Sequence, residues 1–572
     1  MDQEDIKFFK RAFLIVLILA ISLGFLSLTK SQCYERYERV SFESSGVKLY
    51  ANLYYPAKDL SFQDQRPLLI YCHGIGSQRD FDLRIPIEFS KRGFYVAALD
   101  YQGHGESGGN INNIDPVTKV PALAQDCSRL LDKLETMPFY SDVNPSQIGL
   151  IGHSLGGFVV LMNQALDSRF NITVAWAPLV NFDPSKFGIF NAEIFNDYIP
   201  ANLLNETNTN NLLIIMHVND EALNFTRNAI KAQELTNCSV IPISGFVFGS
   251  AHQLFLNSVL IDSINWFEGH FFKSETINGP ISITYLLNYF TIFLTLGLLF
   301  IIMLLSISYS AKVFKVGTVD LTEKKPINPV KISKSKVIRQ TIKIIVYLVI
   351  FVVNWEIFER LFGLIGIFFA SLNISIIYTL LALRIYFKKL EREEKKFNLV
   401  ELIKSQFKYK TLIFAILCSG YFIGLYVLFS FSYPFAFMWP SNWLVDILLA
   451  ELVFPIYFSM EILYRKVLYP QLYFIQSERR KSFVIIALAF YVQINLISLT
   501  WSWSFFPSVM FTYLILLIVI IQNTLIYEKT LCFSTVILSS FNIIQFLFAS
   551  IISNALGLGS ALGLFVSQKF LI

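Results

Sequence analysis

The sequence predicts a mostly parallel α/β sheet domain with helices on both faces. An N-terminal transmembrane helix precedes it and an all-α, multi-span membrane domain follows. Three observations carry this reading. Short apolar runs alternate with helical stretches between residues 31 and 280, the pattern of a parallel sheet covered on both sides. Long apolar runs fill almost everything after residue 281, as bilayer spans require. Third, the run Ile148-Gly149-Leu150-Ile151 leads through Gly152-His153-Ser154-Leu155-Gly156-Gly157 into Phe158-Val159-Val160-Leu161-Met162, which reads as strand, sharp turn and helix.

Composition agrees with a divided chain. Of 572 residues, 54% are hydrophobic and only 16% charged, too apolar for one water-soluble globule. The formal net charge of +5 does not ask for a nucleic-acid partner, because the Lys and Arg residues sit in loops between apolar runs. The six cysteines show no C-x-x-C or zinc spacing, and no motif calls for a cofactor or a metal. A disulfide between Cys33 and Cys238 is open to an external domain. All six histidines (His73, His104, His153, His217, His252 and His270) lie in the first half, so imidazole chemistry is confined there.

Phe13 to Leu28 is the first span, and no A-x-A-type cleavage site follows it, so it reads as a retained anchor rather than a signal peptide. The second span, about Ile283 to Ile307, is followed by a dense set of lysines from Lys312 to Lys343. The basic side is cytoplasmic by the positive-inside rule, which places residues 31–280 outside. Further spans are expected at about 342–358, 361–383, 411–432, 443–463, 482–500, 507–526 and 531–552. The expected division is 1–30 as cytoplasmic tip and anchor, 31–280 as the α/β domain and 281–572 as a membrane domain of about eight helices.

Within 31–280, strands are expected at Val47–Tyr55, Leu68–Cys72, Tyr95–Leu99, Ile148–Ile151, Ile172–Trp176, Leu212–Met216 and Val240–Ile243. Helices are expected at Ile85–Arg92, Ala122–Leu134 and Gln253–Phe267. Ligands of such sheets bind at the carboxyl ends of the strands. Ser154 follows one of those ends in a G-x-S-x-G turn, the context in which a serine is held exposed as a nucleophile. A serine hydroxyl needs a positioned base, and the base needs an orienting acid. Asp220 lies just past the Leu212–Met216 strand, with Glu221 as the fallback acid. His252 follows the next strand and is the candidate base. An isolated His in a loop usually caps or faces solvent; three correct types in the order Ser, Asp, His, each after a strand, argue otherwise. The oxyanion site needs two backbone N–H groups: Leu155, next to the nucleophile, and Ile75 in His73-Gly74-Ile75-Gly76, with Gly74 or Gly76 as alternatives. His73 reads as a brace of that loop.

Tyr71-Cys72-His73-Gly74-Ile75-Gly76, the stretch Lys91-Arg92-Gly93 through Asp100-Tyr101-Gln102-Gly103-His104-Gly105-Glu106-Ser107, and Gly152-His153-Ser154-Leu155-Gly156-Gly157 resemble the serine aminopeptidase and monoacylglycerol lipase branch of the α/β-hydrolase superfamily. The resemblance covers about residues 40–270. It implies an α/β-hydrolase fold and a Ser154, Asp220, His252 triad, with Asp100 to Ser107 as a structural turn. Two departures stand out. The glycine usual before the acid is missing from Met216-His217-Val218-Asn219, and the cap between Pro178 and Asn211 is short. That cap is aromatic (Phe182, Phe187, Phe190, Phe195, Tyr198) and suits either an acyl pocket or packing on the sheet. Asn171, Asn205, Asn224 and Asn237 head N-x-Ser/Thr sequons.

In the second half, Met460-Glu461-Ile462-Leu463-Tyr464-Arg465, Tyr491-Val492-Gln493-Ile494-Asn495 and Ile526-Tyr527-Glu528-Lys529-Thr530 faintly resemble the CAAX-processing intramembrane protease family. Met460 stands where that family has its first Glu, and Asn495 and Ser540 or Phe541 stand where it has histidines. With no histidine after His270, the resemblance implies a lapsed relative acting as scaffold or binding module. Glu461 and Arg465, four apart on one helix face, read either as a functional pair or as an Arg snorkelling to the interface beside its Glu partner. The expected activity is a membrane-anchored serine hydrolase acting on a lipid ester or a peptide, its partners being that substrate and the lipid bilayer. The alternative is a non-enzymatic transporter or receptor with the α/β domain kept for binding.

Overall fold

The computed structural model describes residues 3–57, 65–75, 77–80, 82–184, 192–247, 250–272, 281–316, 353, 409–432, 457–458, 460–500 and 507–543. The expected spans at 342–358 and 361–383, most of 443–463 and the end of 531–552 lie outside these residues.

An eight-stranded sheet forms the centre. Its strands are β1 (Tyr37–Ser44), β2 (Val47–Tyr54), β3 (Arg66–Cys72), β4 (Tyr95–Asp100), β5 (Val143–His153), β6 (Ile172–Trp176), β7 (Leu212–His217) and β8 (Ser239–Ile243), in the spatial order β1-β2-β4-β3-β5-β6-β7-β8. β1 and β2 pair antiparallel, as do β2 and β4, and every other pairing is parallel. The sequence reading missed β1. It is an edge strand of alternating exposed and buried residues, closed onto β2 by a Ser45-Gly46 turn with positive φ at both residues. Such half-solvated strands carry a weaker apolar signal than the continuous runs of β3 or β7.

Helices cover both faces. Leu69, Tyr71, Val96, Ala98 and Ile151 pack against Phe89 of α2 (Arg84–Lys91) and Ile264 and Phe267 of α8 (Asn257–Phe272). On the other face, Leu68, Ile70, Ala97 and Leu150 pack against Leu130 and Leu134 of α3 (Asp126–Glu135) and Val159 and Met162 of α4 (Leu155–Leu166). Three short helices, α5 (Ala192–Tyr198), α6 (Pro200–Leu203) and α7 (Lys231–Thr236), lie between β6 and β8. The cap aromatics Phe182 and Phe195 are buried in the second core, Phe182 edge-on to Phe158. They pack on the sheet, while Phe187 and Phe190 lie outside the described residues.

Two expectations are corrected. The helix expected at Ala122–Leu134 is a short 3₁₀ turn, Ala122–Ala124, followed by α3 from Asp126. The carboxylate of Asp126 is turned back to accept the Gln102 N–H and the Ser44 hydroxyl. The last helix begins at Asn257, not Gln253. Leu254 takes φ +49° and its carbonyl is held by Arg84, so residues 252–256 form a fixed loop. The cysteines are free thiols. Cys33 bonds Thr29 and Asn288, and is not joined to Cys238.

Helix α1 (Gln3–Ser31) and helix α9 (Tyr285–Val313) are long and apolar enough to cross a membrane. They pack antiparallel, with Phe8 stacked on Tyr309 at one end and Asn288 bonded to Cys33 at the other. Among the described residues that follow are helices α10 (Tyr409–Ser432), α11 (Glu478–Thr500), α12 (Pro507–Thr530) and α13 (Phe533–Ile543), with a π-helical turn at Leu463–Leu468 before α11.

Candidate active site

Ser154 sits where the sheet's connectivity changes direction, between β5 and α4. Its backbone is strained, with φ 54° and ψ −116°, a conformation that costs of order 1–3 kcal/mol and survives only when the surroundings enforce it. They do so through the glycines. A Cβ on Gly152 would collide with the Gly156 carbonyl, and one on Gly156 with the Cys72 carbonyl. The Ser154 N–H is anchored on the Trp176 carbonyl at 2.8 Å. The hydroxyl is thus fixed at the carboxyl edge of the sheet.

The structure brings Ser154, His252 and Asp220 into one hydrogen-bonded chain. Asp220 Oδ2 lies 2.8 Å from His252 Nδ1, and His252 Nε2 lies 2.9 Å from Ser154 Oγ. A carboxylate can only accept, so Nδ1 donates and Nε2 is left to accept the serine proton. Burial would raise the Asp220 pKa, but the hydrogen bond and charge of His252 and the N–H groups of Leu223 and Ala222 hold it below its ordinary value. Asp220 is therefore ionised at neutral pH. The missing glycine is accounted for as well. From His217 to Asp220 no residue takes positive φ, and His217 pins the turn by accepting the Asn219 N–H and donating to the Gly245 carbonyl.

Glu221 does not touch the imidazole Nδ1. It accepts the His252 backbone N–H at 3.2 Å and the Ser250 hydroxyl, so it fixes the loop that carries His252. His153, inside the serine motif, holds the same loop from the other side: its Nε2 donates to the His252 carbonyl at 2.9 Å. Burial pushes His153 down to about 3, so it stays neutral. Sequence reasoning assigned His153 no role, and no spacing rule marks it. His270 is bonded to Trp266 on an exposed face, away from Ser154.

Leu155 opens α4, and its N–H is one of the donors a helix leaves free in its first turn. The loop after β3 passes directly over Ser154: a Cβ on Gly74 would lie 2.9 Å from His153 Nδ1 and 3.5 Å from Ser154 Cβ. Ile75 follows in that loop and is half exposed, while Gly76 lies outside the described residues. His73 braces the loop, as read from the sequence. Its Nδ1 donates to the Gly74 carbonyl, its Nε2 lies 3.4 Å from Asp100, and its own carbonyl accepts the Tyr101 hydroxyl.

Asp100 to Ser107 forms a buried turn beneath the loop. Asp100 pairs with Arg79 and accepts the Glu106 N–H, while Ser107 donates to the Asp100 carbonyl. Burial alone would raise the Asp100 pKa, but Arg79 and His73 bring it down to about 2. A carboxyl held below its unfolded value contributes stability above pH ~4 that is lost as pH falls through the folded value, here roughly 2 kcal/mol. Asp100→Asn is expected to lower the melting temperature at pH 7 and to flatten its decline between about pH 4 and pH 2. Unfolding followed by circular dichroism across that range checks this.

This geometry can carry out acyl transfer: a strained serine, a base within reach of it and an acid behind the base. Residues 63–232 match the family described as serine aminopeptidase, S33. With the strand order and the elbow, that match decides the fold family. The domain has an α/β-hydrolase fold. Over 172 residues the chain is 27% identical to platelet-activating factor acetylhydrolase of Cavia porcellus, covering 23% of this chain and 39% of that protein. It is also 27% identical over 146 residues to the quorum-quenching protein AidA of Acinetobacter baumannii, covering 25% of this chain and 44% of that one. The chain thus spans less than half the length of these curated relatives. Among solved structures, acetyl xylan esterase 1 from Thermoanaerobacterium superposes with a TM-score of 0.32 at 17% identity, over 44% of this chain and 93% of that one.

In the second half, the expected pair is formed among buried polar groups. Glu461 and Arg465 lie 3.0 Å apart and both are buried. Arg465 also donates to Thr524, Asn523 donates to Glu461, and Tyr457 donates to Ser540. The described residues contain no cluster of three or more His, Cys, Asp or Glu able to hold a metal.

Proposed function

We propose that the protein is a membrane-anchored serine hydrolase that cleaves ester or amide bonds in a lipid ester or a peptide. Ser154 Oγ attacks the carbonyl carbon while its proton passes to His252 Nε2, and Asp220 stabilises the imidazolium that forms. The N–H groups of Leu155 and Ile75 receive the developing oxyanion. The C–O or C–N bond then breaks, and His252 returns the proton to the leaving alcohol or amine. Water, deprotonated by His252, releases the acid from Ser154.

The observation that carries this reading is the Asp220–His252–Ser154 relay, 2.8 and 2.9 Å, on a backbone strained at the serine. An ordinary loop contact has no need for that strain. The match to serine aminopeptidases and the likeness to a protein named an acetylhydrolase support the reaction class. The lengths and apolar character of α1 and α9 support anchoring. The lysine-rich stretch after Ile307 supports an external α/β domain, with 1–30 as anchor and 281–572 as a multi-span membrane domain.

Turnover of p-nitrophenyl acetate and of an aminoacyl p-nitroanilide by the full chain in detergent tests the activity. Hydrolysis of at least one is expected. Folded protein that hydrolyses neither removes the enzymatic reading and leaves a binding domain.

A further inference from the structure

The way the two apolar helices meet the α/β domain fixes which of its edges faces the bilayer. Helix α2 starts at the carboxyl edge of the sheet, just after the loop over Ser154, and runs back to the amino edge at Lys91. Helix α9 lies along it in the opposite direction. Lys91 donates to the Ser282 carbonyl and the Thr284 hydroxyl, Glu88 accepts the Thr284 and Tyr285 N–H groups, and one turn further on the Tyr289 hydroxyl accepts the Leu83 N–H at 3.0 Å. Helix α9 therefore climbs from the amino edge to the carboxyl edge and passes it at Tyr289. From there to Val313 it extends roughly 36 Å at 1.5 Å per residue, enough for a hydrocarbon core of about 30 Å. Helix α1 returns alongside it. Both apolar stretches thus lie beyond the edge that carries Ser154 and His252.

The loops on that edge suit a lipid surface. Phe246 is 91% exposed, Ile75 50% and Phe255 43%, and each follows the carboxyl end of β8 or β3. Such side chains are usual on a face that meets a bilayer interface. The same edge is tied to the membrane helix through a continuous set of bonds. Tyr289 holds Leu83, Asp82 pairs with Arg84, Arg84 donates to the Leu254 carbonyl and stacks over Phe255, and His252 begins that loop.

We infer that the mouth of the site opens onto the bilayer in which α1 and α9 are embedded, and that its substrate is the ester of a membrane-resident lipid taken from that bilayer. This rests on the proposed hydrolase reading of Ser154. An ester carbonyl of such an amphiphile lies at the boundary between headgroups and acyl chains, and in this orientation the Tyr289–Leu83 contact would sit at that boundary. A soluble peptide would instead have to enter between the rim and the headgroups.

Two measurements on the full chain in phosphatidylcholine vesicles test this. In the first, a long-chain monoacylglycerol is placed either in the vesicles that hold the enzyme or in separate, enzyme-free vesicles. Restricting enzyme and ester to one surface raises their effective concentration, so at least about tenfold faster hydrolysis is expected in the shared vesicles. Equal rates, or cleavage of an aminoacyl p-nitroanilide with the monoacylglycerol spared, would overturn the inference while leaving the hydrolase intact. Loss of p-nitrophenyl acetate hydrolysis as well would instead indict the hydrolase reading. The second measurement does not depend on activity. Phe246→Cys carries an environment-sensitive fluorophore, since the native cysteines are buried. Quenching by headgroup-labelled lipid supports the orientation, and emission from a fully aqueous site contradicts it.

Discussion

Ser154→Ala is expected to lower kcat/KM on a p-nitrophenyl ester by roughly 10⁴–10⁶-fold, the cost seen when a triad nucleophile is removed. That corresponds to about 5.5–8 kcal/mol of lost transition-state stabilisation. The alanine fits without a clash, because the strain at position 154 is imposed by contacts of Gly152 and Gly156 rather than by the hydroxyl. The variant should therefore fold, keep its substrate affinity and lose turnover. The residual rate would report what substrate binding and the N–H groups proposed for the oxyanion, Leu155 and Ile75, contribute without the nucleophile. A loss of tenfold or less would mean that some other group supplies the nucleophile.

The second large effect concerns the two adjacent carboxylates. Asp220→Asn is expected to lower kcat by roughly 10³–10⁴-fold. An amide can offer N–H₂ to His252 Nδ1 and stabilise the tautomer with its proton on Nε2, which can no longer accept from Ser154. Glu221→Gln should cost no more than about tenfold, because the amide oxygen can still accept the His252 N–H that Glu221 holds at 3.2 Å. Steady-state kinetics of the two variants on one ester decide the matter. Equal losses would give Glu221 a share of the acid's role that its position does not support.

Much of the site was legible because its chemistry is tied to short-range backbone geometry. The glycines at 152 and 156 are required by carbonyls within van der Waals reach, so the pattern around Ser154 carries its own turn. Asp220 and His252 were legible by order and by placement after strands β7 and β8. The choice between Asp220 and Glu221 was not. Both follow the same strand, and only the direction of the turn set by His217 decides which carboxylate reaches Nδ1. His153 and Arg84 were missed for a related reason. Each acts through one long-range bond, to the His252 or Leu254 carbonyl, and no periodicity encodes a contact across about 100 or more residues.

The same contrast holds for the fold. Buried strands such as β3, β6 and β7 are continuous apolar runs and declare themselves, whereas β1 shows only a weak alternation. The last helix was placed four residues early because Gln253 to Leu256 has helix-compatible composition. The tertiary bond from Arg84 to Leu254 and the left-handed Leu254 override it. The buried Glu461–Arg465 pair was legible from its i,i+4 spacing, but its partners Thr524 and Asn523 come from a helix far along the chain.

The central claim is that Ser154 is an activated nucleophile. Reaction of the full chain with a fluorophosphonate, followed by mass mapping of the labelled peptide, tests it most directly. Stoichiometric phosphonylation of the peptide containing Ser154, abolished in Ser154→Ala and strongly slowed in Asp220→Asn, is the expected result. Folded protein that takes up no label, or takes it up at another residue, would contradict it.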